Sequence, residues 1–151
     1  MPTTEELTIQ IPDRPGTLGR ACRALSDRGV NILALQSYPA SKEASLVRFV
    51  VDNPRLAKSA LATEGLSYTE AEVVQVELSH RPGELAQAAS RLGEADIKID
   101  YAYCGVEPRT HTPLAILGVA DAALATAVLD QAAAEAAKAA RLRLVSAAGR
   151  R

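Results

Sequence analysis

One feature limits the possible folds more than any other: the chain repeats itself. Arg14-Pro15-Gly16-Thr17-Leu18 returns as Arg81-Pro82-Gly83-Glu84-Leu85, an offset of 67 residues (81 − 14). An alternating apolar run precedes each copy, Leu7, Ile9 and Ile11 in the first and Val74, Val76 and Leu78 in the second. This is the period-2 signature of a half-buried strand. A helical pattern follows each copy. Proline at the start of a helix is tolerated because its missing N–H has no intrahelical partner there, so the expected helices begin at Pro15 and Pro82. A helix start also offers unpaired N–H groups and the positive end of the dipole, and glycine allows close approach. Each Pro-Gly turn is therefore the place to expect a bound anion.

In the first half, the helix from Pro15 to Arg28 stops at Gly29, and Asn31 to Tyr38 reads as a well-covered strand. Ala44 to Val51 follows, with Val47, Phe49 and Val51 on one face and Leu46, Arg48 and Val50 on the other. Asp52 or Asn53 caps a second helix opening on Pro54 and ending at Gly65, and Leu66 to Thr69 closes a β-α-β-β-α-β unit. After a short joint, Glu70 to Glu72, the order recurs. Its members are a helix from Pro82 to Ala95, strands at Ile97–Cys104 and Leu114–Val119, a helix capped by Asp121, and a last strand at Leu142–Val145. Residues 147–151 are expected to be loose. Tyr101 and Tyr103 are placed on one strand face with Ile97 and Ile99. The predicted class is α+β: two ferredoxin-like units, 1–71 and 72–151, in one continuous antiparallel sheet with helices on one face. A second strand left at a sheet edge is a pairing hazard, so the units should join through it or bury it in a homodimer.

Composition narrows the function. The chain has 151 residues and a net charge of −1 that divides evenly, with 8 basic and 9 acidic side chains in residues 1–72 and 9 and 9 in the remainder. Neither half is a basic patch, and one Phe without a basic face gives no stacking platform, which argues against nucleic acid. Met1 to Glu6 lacks the pattern of a secretory signal, and the Ala-rich stretch is interrupted by Asp121, Asp130, Glu135 and Lys138, so the expectation is a cytoplasmic protein that does not span a membrane. Cys22 falls on a helical core stripe and Cys104 at a strand end, so no disulfide is expected. His80, Cys104 and His111 lack metal-ligand spacing, and neither metal nor cofactor is expected.

Pro-Gly-x-Leu after a first strand, with Val30-Asn31-Ile32 opening the second, resembles the ACT domain. The doubled chain is similar to small stand-alone tandem ACT proteins over residues 5–146. The resemblance implies a sensor of an amino acid or related metabolite that acts on a metabolic enzyme or transcription regulator in trans, with no catalysis of its own. It places the ligand between the first-strand turn of one unit and the neighbouring unit. Carried over, this gives Asp13, Arg14, Pro15, Gly16, Thr17 and Leu18, with Asn31 and Ile32 across from them. Backbone N–H groups at Gly16 to Leu18 can hold a carboxylate, and Asp13 or the Asn31 carbonyl an ammonium. The second copy offers His80, Arg81, Gly83, Glu84, Leu85, Lys98 and Ile99. Lys98 replaces Asn31 and His80 replaces Asp13, so this pocket should prefer an anion without an amino group or only complete an interface.

Two alternatives stand beside this reading. One is a constitutive adaptor subunit with vestigial pockets. The other is an acylphosphatase-like hydrolase using Arg14 and Asn31, against which Pro15 directly follows the arginine and the glycine-rich phosphate cradle is missing.

Overall fold

Alternation along β1 (Thr3–Pro12) sends Leu7, Ile9 and Ile11 to one face, where all three are buried, and leaves Glu6, Thr8 and Gln10 for the other. In the computed structural model, which describes residues 2–150, β1 is followed by α1 (Thr17–Ser26), β2 (Ile32–Pro39), β3 (Ala44–Val51), α2 (Pro54–Thr63) and β4 (Tyr68–Glu77). Then come α3 (Glu84–Glu94), β5 (Ile99–Val106), β6 (Pro113–Val119) and α4 (Ala122–Ala148). Asn53 and Asp121 cap α2 and α4 by accepting from the Leu56 and Leu124 N–H groups. Gly29 and Gly65 end their helices with positive φ.

The strands pair antiparallel in the order β1-β3-β2-β5-β6-β4 and close into a barrel. The expected continuous antiparallel sheet is thus closed into a barrel, a correction to an open one, with the helices on its outer face. Closure depends on β4, which pairs with β1 from Tyr68 to Val74 and with β6 from Val74 to Glu77. The stretch expected as a joint, Glu70 to Glu72, is strand throughout. At the other seam β2 meets β5 at Ala34 and Gly105, so the two second strands cover each other's edges. A Cβ on Gly105 would stand 1.9 Å from the Leu33 carbonyl oxygen, so only glycine permits that approach.

Three cores result. α1 and α2 pack outside β1 and β3 around Phe49 and Leu61, and α3 and α4 pack outside β4 and β6 around Leu92 and Leu117. Inside the barrel lie Ala34, Val50, Val73, Tyr103, Leu114 and Ile116.

Four further expectations are corrected. Leu142–Val145 is helix, because α4 continues to Ala148. Residues 122–148 contain no glycine or proline to stop it, alanine favours helix over strand, and β4 already has a neighbour on each side. The expected loose end, 147–151, is helical to Ala148, and Arg151, like Met1, lies outside the described residues. The tyrosines part from Ile99: a register shift between Ile99 and Tyr101 puts Ile99 under the helices and Tyr101 and Tyr103 inside the barrel. Finally, α1 and α3 start after Pro15 and Pro82, with Gly16 (φ 89°) and Gly83 (φ 92°) as left-handed N-caps.

Candidate functional site

The first Pro-Gly turn is held by its own chain. The Thr17 hydroxyl lies 2.7 Å from the Pro12 carbonyl and 2.9 Å from that of Arg14, and the Arg20 N–H donates to Gly16 O at 3.0 Å. Antiparallel pairing of β4 with β1 sets Tyr68 beside Ile9, which brings the turn between α2 and β4 up to the end of β1. Between that turn and the start of α1 lies a cleft of about 220 Å³. Ile11, Ala21 and Leu66 give it apolar walls, and Arg14, Arg20 and Glu64 give it charge. Arg20, Glu64 and Leu66 are not among the site residues expected from the sequence. The signal was there, since in a β-α-β-β-α-β unit the fourth strand starts beside the end of the first.

The other residues expected with Arg14 lie elsewhere. Asp13 accepts from the Ser45 hydroxyl at 3.0 Å, and its N–H donates to Glu43 O. Asn31 and Ile32 line a shallow groove with Gly19, Cys22, Arg23 and Ser26, on the face of α1 opposite Thr17 and Arg20. Asn31 is tied to Asp52 through its backbone, N–H to carboxylate at 2.9 Å and carbonyl to Asp52 N–H at 3.0 Å. Pro15, Gly16 and Leu18 belong to the turn and the first turn of α1, with Leu18 packed against the first core.

A second cleft, also about 220 Å³, occupies the matching position beyond β4, at the start of α3. Val76, Leu78, Ala88 and Leu129 form its floor, and Ala132, Ala133 and Ala136 of α4 form a wall where the first cleft has Glu64 and Leu66. Its charged groups are already engaged. Glu84 holds Arg81 at 2.7 Å, Arg91 holds Glu94 at 3.3 Å, and Glu77 accepts from the Thr110 hydroxyl at 2.7 Å and from that of Thr112. The Thr112 and Thr110 bonds lower the Glu77 pKa. Gly83 and Leu85 lie at the exposed α3 start, Lys98 is exposed and paired with Asp100 at 3.1 Å, and His80 and Ile99 do not line this cleft.

Two clefts at the starts of α1 and α3 invite comparison with known proteins. Residues 6–60 match the ACT domain. That segment runs from β1 into α2 and includes the first turn, Arg14, Thr17 and Arg20. Among curated proteins, none matches the chain. Among solved structures, a protein from Bacteroides thetaiotaomicron aligns at 20% identity over 85% of this chain and 88% of its own, with a TM-score of 0.75. The ligand-free regulatory subunit of aspartate kinase from Thermus thermophilus aligns at 19% over 85% and 91% (TM-score 0.59). The Thermus flavus counterpart aligns at 18% over 86% and 92% (TM-score 0.53). At these identities the likeness is one of fold. Among the described residues no helix is long and apolar enough to cross a membrane.

Outside the clefts, the ACT segment contributes to a polar network inside the barrel. Glu6 is only 1% exposed. Its carboxylate accepts from the Tyr101 hydroxyl at 2.5 Å and the Tyr103 hydroxyl at 2.7 Å, and Arg48 stands 3.9 Å away. The Arg48 guanidinium lies 4.0 Å from the Tyr101 ring centre and donates to the Tyr38 hydroxyl at 2.6 Å. Burial first, then the bond to Glu6, raises both tyrosine pKa values. β1, β2, β3 and β5 thus converge on one carboxylate whose oxygens are both satisfied.

Proposed function

We propose that this chain is a non-catalytic regulatory protein that binds an amino acid or closely related metabolite in the first cleft. The observation that supports this reading is the cleft's chemistry: two guanidinium groups and one carboxylate set around apolar walls. Arginine forks suit a carboxylate, Glu64 can accept from an ammonium, and Ile11, Ala21 and Leu66 suit an apolar side chain. A space of about 220 Å³ falls below the roughly 300–1,000 Å³ of sites for drug-sized ligands, which favours a small metabolite. The ACT match and the fold shared with aspartate kinase regulatory subunits support a regulatory role.

In this reading the chain is two ACT-type units, 1–71 and 72–151, fused through β4. It works as a cytoplasmic homodimer, and the ligand shifts the state of an enzyme or transcription regulator by binding two arrangements unequally. Asp13, Pro15, Gly16, Thr17 and Leu18 hold the turn that presents Arg14. The second cleft, whose charged groups are already engaged by their own chain, takes no metabolite. Arg14 and Asn31 line different faces of α1, which argues against the hydrolase alternative.

A thermal-shift screen with amino acids and their 2-oxo counterparts tests the proposal. A selective ligand at a hundred times its Kd adds about 2.7 kcal/mol of stability. The gain should vanish in Arg20→Ala and survive in Asn31→Ala. Glu64→Gln should weaken binding of amino acids and leave 2-oxo acids unaffected. A flat screen on folded protein would favour the adaptor reading.

A further inference from the structure

The core-facing stripe of α4 does not end where the core ends. Ala122, Ala125 and Leu129 are buried, and the same helical face continues through Ala133, Ala136, Ala140 and Leu144 with nothing over it among the described residues. Leu142, Leu144 and Val145 are 62%, 71% and 71% exposed. They sit in the run Arg141-Leu142-Arg143-Leu144-Val145, apolar side chains alternating with guanidinium groups. The second cleft has the complementary character: a floor of Val76, Leu78, Ala88 and Leu129 below the carboxylates of Glu77 and Glu84. The arginine on its rim, Arg91, is held by Glu94.

Tail and cleft cannot meet within one chain. α4 supplies both the tail and one wall of the cleft, and the 11 residues from Ala133 to Leu144 (144 − 133) extend about 16 Å along a straight helix. They can meet between two chains. When two α4 helices run antiparallel, crossing near Ala137 and Ala140, Leu144 of each stands over Ala133 of the other. Alanines at the crossing let the axes approach to about 8 Å.

We propose that the chain pairs with a second copy of itself by reciprocal exchange of α4 tails. Leu144 of each copy seats in the other's second cleft, and on its rim Arg141 and Arg143 meet Glu77, which its own chain holds by threonine hydroxyls, and share Glu84 with Arg81. The contact is isologous, so both tails are covered at once and the pairing closes at two copies. It holds whether or not the first cleft binds a metabolite.

Analytical ultracentrifugation of the full chain over a range of concentrations tests this, with far-UV circular dichroism to verify that each variant keeps its helix. The wild type should sediment as a dimer. Leu144→Asp, on the tail, and Ala133→Glu, on the cleft wall, should each weaken association at least about tenfold, and raised salt should weaken it further. A wild type that stays monomeric, or a dimer that neither substitution disturbs, would overturn the proposal.

Discussion

Gly118 has no turn to make. Its role is to leave room, because a Cβ there would lie 2.2 Å from the Tyr101 ring, whose hydroxyl is bonded to Glu6. Gly118→Ala should therefore cost about 1–3 kcal/mol, read as a lower urea midpoint at unchanged slope. Tyr103→Phe should cost about 1–3 kcal/mol by the same measurement, because it leaves one oxygen of a buried carboxylate unsatisfied. In the loop between β5 and β6, Glu107 accepts from the Thr110 and Arg109 N–H groups, with the Thr110 bond foremost, and its pKa falls to about 2. A carboxylate depressed in the folded state contributes stability above its unfolded pKa of about 4.3, and loses it as pH falls towards 2. Urea midpoints across that window should fall less steeply in Glu107→Gln than in the wild type. None of these roles was legible in the sequence. Glu6 sits in an acidic N-terminal stretch that reads as solvated, and only closure of the barrel places it indoors.

Among the elements, the first half was readable closely as far as α2, though not in β4, which runs on to Glu77. β3 spans Ala44–Val51 as expected, with Val47, Phe49 and Val51 under the helices, and Asn53 with Pro54 opens α2. Strong punctuation explains this, since each element there ends at a proline, a glycine or a capping side chain. Asn53→Ala should cost about 1 kcal/mol by urea denaturation through loss of the bond to the Leu56 N–H. Punctuation is what the last quarter lacks. Leu142-Arg143-Leu144 alternates as a strand would, but three residues of alternation cannot overrule an alanine-rich helix with no stop. Nor could the sequence reveal the irregularity at Ile99/Tyr101, which exchanges the two faces of β5. Removing residues 141–151 should lower the helical signal and abolish pairing while the barrel still unfolds cooperatively, because α4 beyond Ala132 is exposed within one chain.

For the molecule as a whole, the repeat led to an expectation of two similar halves, yet how the strands meet depended on pairings with no local signature. The edge argument did require the second strands to be covered, and β2 against β5 is how that is met. What the sequence could not show is that β4 serves as the last strand for β1 and the first for β6. No place in the chain therefore divides it cleanly. A fragment ending at residue 71 would keep β4 only as far as the partner of Glu6, and one beginning at residue 72 would carry the stub that pairs with β6. Each piece would bear a raw strand end, and its natural remedy is the missing piece. Co-expressed as separate polypeptides, the halves should find each other and knit, while either one made alone should precipitate.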